Sequence, residues 1–213
     1  MKLRVLALVI AVAMLLAGCT GKEETAAKYA VINGDFDQAI DTEADFAWDT
    51  YFFASVIEQE DGMQKVTSTA PAAFISIWQV LPIEGQAYRE KFNKQAEELK
   101  KMEQEMSLAQ LKTGDSVSMS VDIFVSEEAN MPDTIGLRLY IEAENEKGIK
   151  TTIGESGVQD VKTGEWFTFS TIASGNEGVI PDDTVLIVIS IQMDLPDDGY
   201  ILLDNVELVK NEN

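Results

Sequence analysis

Histidine is absent from all 213 residues. Without an imidazole no Ser-His-Asp or Cys-His relay can be assembled, and the usual general base near neutral pH is missing. Cysteine is nearly absent too. Cys19 is the only one, so no internal disulfide forms and a zinc site would lack both thiolates and imidazoles. Cations are scarce: 16 Lys and Arg stand against 37 Asp and Glu, for a formal net charge of −21. A surface this acidic repels nucleic acid and anionic headgroups. Gly154-Glu155-Ser156-Gly157 is no nucleophile elbow, because Val158 occupies the last glycine position. Carboxylate chemistry, calcium binding and recognition remain. Hydrophobic residues make up 46% of the chain, enough for a globular core and most simply one domain.

Long apolar runs are also lacking, apart from Val5 to Leu16 behind Met1-Lys2-Leu3-Arg4. That run falls short of the roughly 20 residues that span a bilayer. A cationic start, an apolar middle and small residues at the end describe an export signal. Leu16-Ala17-Gly18-Cys19 resembles the bacterial lipobox at all four positions. The resemblance implies cleavage before Cys19 and acylation of its thiol by at least two chains, which anchor stably where one does not. Lipidation also removes the liability of a lone exported thiol. Residues 1–18 are therefore read as a removed signal, 19–30 as the lipidated cysteine and a short polar tether, and 31–210 as a single exported domain. The expected location is extracytoplasmic, lipid-anchored to a bacterial membrane at the cell surface or the periplasmic face.

From Ala30 onward the chain reads as short strands between turns, the pattern of an all-β sandwich or barrel. Val117 to Val125 is the clearest, with every odd position apolar and thus one buried face. Ile135 to Ala143, Ile149 to Ile153, Trp166 to Ile172, Val185 to Met193 and Tyr200 to Val209 follow. Glu84 to Leu111 breaks the pattern. Tyr88, Phe92, Leu99, Met102 and Met106 recur at helical spacings, which predicts an inserted amphipathic helix over about 85–111, ended by Gly114. Its apolar stripe is expected to dock on the sandwich. Docked across a sheet, it would cover a face that could otherwise bind ligand.

Two terminal segments carry a family resemblance. Val31-Ile32-Asn33-Gly34-Asp35-Phe36-Asp37, followed by Trp48, and Tyr200-Ile201-Leu202-Leu203-Asp204-Asn205-Val206-Glu207-Leu208 resemble the opening and closing motifs of galactose-binding-domain-like jelly rolls. These include carbohydrate-binding modules of families four, nine and twenty-two. Leu111 to Ser120 and Gly164-Glu165-Trp166-Phe167-Thr168-Phe169 are similar to two internal motifs of the same group, in the same order. The helical segment looks like an insertion, Val117 stands where the family often has tyrosine, and Asp37 stands where glutamate is usual. The resemblance implies a jelly-roll β-sandwich. It also implies that the terminal segments join in one sheet, with a structural calcium held there by Asp37 and Asp204 and by carbonyls near Asn33. Oxygen ligands suit that ion. Trp48 and Trp166 match family positions that are usually core and are expected to pack. Fold alone does not decide function.

Sugars are held by stacking on aromatic rings beside planar polar side chains. Tyr140 flanked by Arg138 and Glu142 is the best local cluster, with Phe124, Gln192 and Trp78 as further ligand-binding candidates. Trp78 and Gln79 point to opposite faces if their segment is a strand, so at most one faces a ligand. Leu186 and Val188 share the outward parity and favour a covered face. The expectation is a non-catalytic, membrane-anchored lipoprotein that binds a polysaccharide or cell-wall glycan. The alternative is a structural or protein-interaction lipoprotein of the same fold without a sugar site. A carboxylate glycosidase is not expected, because no acid sits in a family catalytic motif.

Overall fold

The computed structural model describes residues 28–40, 48–84, 93–106, 108–129, 136–156, 162–173 and 178–211. The expected export signal, Cys19, most of the expected tether, Tyr88 and Phe92 lie outside them. The described residues form ten strands: β1 (Trp48–Phe53), β2 (Ser55–Glu60), β3 (Met63–Ser68), β4 (Phe74–Pro82), β5 (Val117–Val125), β6 (Arg138–Asn145), β7 (Lys150–Ser156), β8 (Trp166–Ala173), β9 (Thr184–Asp194) and β10 (Tyr200–Lys210). One helix, α1 (Asn93–Met106), lies between β4 and β5.

Period-two alternation sorts these strands into two layers. In β5 every odd residue from Val117 to Val125 is buried, and in β4 Ile75, Ile77, Gln79 and Leu81 are. A face so patterned must be covered by another sheet. The strand order is β1-β4-β9-β6-β7-β8-β5-β10-β3-β2, antiparallel throughout. β1-β4-β9-β6-β7 make a front sheet and β8-β5-β10-β3-β2 a back sheet. Among the described residues a strand ladder joins the two only where Gly154 to Ser156 meet Thr171 to Ala173. The chain crosses between layers at every connection except β2/β3 and β6/β7, so the fold is a jelly-roll β-sandwich. Ile77, Leu139, Ile141, Ile189 and Ile191 meet Met119, Val121, Ile123, Phe169 and Leu203 in one core.

Residues 28–40 form an irregular strap along one end of the sandwich. Two fully buried glutamines replace the missing strand partners. Gln79 Oε1 accepts from the Ile32 N–H at 3.0 Å and its Nε2 donates to the Ile32 carbonyl at 2.9 Å. Gln64 Nε2 donates to the Phe36 and Gln38 carbonyls at 3.4 and 3.2 Å. The strap also reaches β10. Lys28 bridges Val209, the Tyr29 N–H donates to the Leu208 carbonyl at 2.9 Å, and the Val206 N–H donates to the Gly34 carbonyl at 2.6 Å. A Cβ on Gly34 would lie 2.6 Å from the Val206 carbonyl oxygen, so only glycine permits this approach. The opening and closing segments therefore meet as the sequence suggested. Tyr29 Oη and Lys210 Nζ both donate to Asp115, at 2.8 and 2.6 Å. Burial alone would raise the Asp115 carboxyl, but the bonds from Lys210, Tyr29 and the Lys112 N–H outweigh it and hold the carboxyl below its ordinary range.

The helix is shorter than its apolar spacing predicted. It ends at Met106, not at Leu111, and Gly114 (φ 81°) belongs to the turn before β5. After the helix, backbone pairing wins over helical continuation. The Ala109 N–H donates to the Lys28 carbonyl at 3.0 Å, and the Leu111 carbonyl accepts from the Glu84 N–H at 2.7 Å. The inserted excursion thus leaves and returns at one point, where Lys112 Nζ also pairs with Glu84 Oε2 at 2.9 Å. Leu99 is buried in the core and Met102 packs against it. Glu98 and Met102 line a cavity of about 460 Å³ walled by the strap and by residues 205–208. No residue of the outer face of the front sheet lines it, so the described helix docks beside the strap and β10.

Candidate functional site

The register of the front sheet gathers the sequence candidates on its outer face. Trp78 on β4 stands opposite Ser190 on β9, and Ser190 opposite Tyr140 on β6. Asp49 on β1 and Glu155 on β7 end the same row. The neighbouring row runs Tyr51, Ser76, Gln192, Arg138. On the other side lie Val80, Val188 and Glu142. Trp78, Tyr140, Arg138, Glu142 and Gln192 therefore share one surface, although they come from three strands distant in sequence.

The polar groups on this face are pre-oriented. Tyr140, beside Arg138, raises the already high pKa of its guanidinium, and Asp194 and Glu155 add to the effect. Glu142 Oε2 accepts from Lys150 Nζ at 2.9 Å. Tyr51 is 59% exposed and its ring sits 6.5 Å from that of Phe74, tilted by 54°. Leu186 and Val188 are indeed buried on the outward parity. Their lateral neighbours are Pro82 and Glu144, and Val80 and Glu142. Gln79 faces inward, and its role is the clamp on Ile32.

Phe124 does not belong to this group. Its parity on β5 places it on the outer face of the back sheet, beside Trp166 on β8. Trp166 is 45% exposed, which corrects the expectation that it packs in the core. Its strand starts with the outward residue, and Phe169 fills the core from the same strand. Trp48 does pack: it is 3% exposed, its ring lies 5.6 Å from that of Phe36 at a tilt of 43°, and it donates Nε1 to the Asn33 carbonyl at 3.1 Å.

The proposed calcium ligands are brought to one end of the sandwich but with unequal roles. Asn33 is committed to its own loop. Its Nδ2 and Oδ1 bond the Gln38 carbonyl and N–H at 2.8 and 3.0 Å, and its carbonyl already serves Trp48 and Phe36. It closes a turn, with φ 49°, and does not present oxygens outward as a ligand would. Asp204 sits at a bulge in β10, before Asn205 (φ 48°). Burial raises its carboxyl; the Asn205 N–H opposes this, and Asp122, Asp35 and Asp37 add to it. Asp37 is thus an electrostatic neighbour of Asp204. Among the described residues no three acidic side chains converge as a metal-binding group.

Tyr51, Asp49 and Glu155 were not read from the sequence. β1 shows no alternation, being exposed or half-exposed at every residue after Trp48, and only the pairing with β4 reveals which of its residues share the Trp78 surface.

No protein-family model matches the chain, and no curated protein matches it. Several solved structures are similar. One concerns the promiscuous specificity of carbohydrate-binding modules from the β-sandwich superfamily (12% identity over 86% of this chain, TM-score 0.46). Another holds the N-terminal endo-1,4-β-D-xylanase 10B modules of Clostridium thermocellum complexed with xylohexaose (15% identity over 89%, TM-score 0.48). This chain spans 61% and 29% of those two chains. A third is a family 11 carbohydrate-binding module from Clostridium thermocellum with a β-1,3-1,4-mixed-linked tetrasaccharide. Its identity is 15% over 88% of this chain and 97% of that one, with a TM-score of 0.43.

Proposed function

We propose that this chain is a non-catalytic glycan-binding lipoprotein, held outside the cytoplasm by acyl chains on Cys19. Its binding surface in this reading is the outer face of the front sheet. One observation carries it: Tyr51, Trp78 and Tyr140, on β1, β4 and β6, lie on one face of the front sheet, interleaved with Asp49, Gln192, Arg138 and Glu142. Rings supply flat apolar contact for the C–H faces of a pyranose, and the planar side chains supply directional bonds to its hydroxyls. The strands of the sheet keep these groups on a rigid scaffold, which favours recognition over chemistry.

The test is binding of the full chain to a panel of xylohexaose, a β-1,3-1,4-mixed-linked tetrasaccharide and bacterial cell-wall polysaccharide. Saturable binding is expected. Trp78→Ala and Tyr140→Ala should each weaken it by roughly tenfold or more, the scale of losing one well-stacked ring. Binding by the parent chain that both variants retain would reject this face. No binding to any member would leave the structural or interaction reading. The anchor has its own test: Cys19→Ser should release the protein from the membrane fraction, and retention there would reject lipidation. A calcium bound by Asp204 and Asp37 is part of the same proposal, with hard carboxylate oxygens as ligands.

A further inference from the structure

The outer face of the back sheet carries a second set of rings. Phe124 lies opposite Trp166 on one side and Leu202 on the other. Its ring is 5.7 Å from Trp166, tilted by 47°, and 6.3 Å from Tyr200, stacked within 28°. Lys65 Nζ sits 4.7 Å over the Tyr200 ring and pairs with Glu60 at 2.6 Å. Asp122 faces the same surface two residues along β5. Thr168 Oγ1 and Asn205 Nδ2 fix its two oxygens at 2.6 and 3.1 Å. The core does not use these groups, since the same strands send Ile123, Val125, Phe169, Ile201 and Leu203 inward.

We propose that Trp166, Phe124 and Tyr200 form a second saccharide platform, which takes a neutral polysaccharide chain. Its chemistry is that of the front face, so the inference extends the glycan reading to a site on the opposite side of the sandwich. The occupant follows from the mixture of groups. A hydrophobic protein partner would meet continuous aliphatic surface, whereas here the half-buried Leu202 lies among the rings and the exposed Val56 and Ile172 stand apart, Val56 across Thr67 from Tyr200 and Ile172 toward the other end of β8. The rings instead alternate with a fixed carboxylate, a hydroxyl and an ammonium. They are already stacked and pinned by the cation above Tyr200, so little side-chain freedom is lost on binding. Charge selects within the saccharides. Glu60 neutralises Lys65, while Asp122 and Glu58 remain on a chain of net charge −21, which disfavours uronic or sulfated glycans.

The three tryptophans separate the two faces: Trp48 is in the core, Trp78 on the front, Trp166 on the back. The full chain is prepared as Trp78→Phe, as Trp166→Phe and as the double variant, and titrated with the same oligosaccharides while tryptophan emission is followed. A saturable change is expected in Trp78→Phe, where Trp166 reports, and none in the double variant, where only Trp48 remains and its unshifted emission verifies the fold. Tyr200→Ala in the Trp78→Phe background should weaken that response by roughly tenfold. A response from Trp78 alone would overturn the back platform and keep the front site. A response from Trp166 alone would uphold the platform and reject the front site. Silence from both would overturn the two together.

Discussion

Gln79 is the residue on which the strap depends. It is fully buried, yet its amide completes both backbone groups of Ile32. Gln79→Leu keeps the volume and removes both partners. Each orphaned buried group costs roughly 1–3 kcal/mol, so the variant should show a clearly lower denaturation midpoint in urea, with chevron or equilibrium data checking the size. Asp204 has the opposite sign. Its folded carboxyl is raised above the ordinary value of 3.8 by burial first and by Asp122, Asp35 and Asp37 after it. A raised folded pKa means that the stability it contributes is present at acid pH and lost as pH rises through the folded value. Asp204→Asn is therefore expected to raise the melting temperature at pH 7 without calcium, and to lose that advantage once the parent carboxyl is protonated. Added calcium should stabilise the parent and leave the variant unmoved if the ion binds there. Equal calcium responses would reject the site.

At the scale of elements, the inserted helix is separable from the sandwich. The Glu84 N–H and the Leu111 carbonyl are bonded at its base, so replacing residues 86–107 by a short Gly-Ser linker closes a small loop. Loss of the buried Leu99 contact should lower the melting temperature by roughly 3–10 °C with cooperative unfolding retained, as calorimetry would show. Strands with one buried face were legible from residues alone: β5 begins and ends where its alternation does, and β6, β8, β9 and β10 follow theirs within a few residues. β1, β2 and β3 were not. β1 and β2 are edge strands that bury little and carry no period: Tyr51, Phe52, Phe53 and Val56 are all exposed. β3 alternates, but one of its two buried residues is polar, Gln64 beside Val66. The helix end was overrun because Leu108 to Leu111 keep an apolar spacing while their backbone pairs with Lys28 and Glu84. Within the candidate site, parity on each strand put Tyr140, Arg138, Glu142 and Gln192 on outward faces and left Trp78 and Gln79 as alternatives, of which Gln79 is the buried one. Parity could not tell which sheet each strand joins, and for that reason Phe124 was grouped with a face it does not share.

Across the whole molecule, the layer order explains why two ring-bearing surfaces exist at all. Ten strands folded into two five-stranded sheets leave two outer faces, and aromatic residues stand on both. The first and last described segments are gathered at one end: Lys28 and Tyr29 meet Leu208 and Val209, while Tyr200 and Phe124 lie toward the far end of β10. A pull applied through the N-terminus enters this sandwich at Lys28. There it is divided at once among β10 through the Leu208 carbonyl and Glu207, the start of β5 through Asp115, and the helix return through Ala109. Beyond that point lie the amide clamps of Gln79 and Gln64, so tension would have to break several bonds in parallel before the strap could peel. Any load that reaches Lys28 is thus shared at one corner of the sandwich instead of being carried by a single strand.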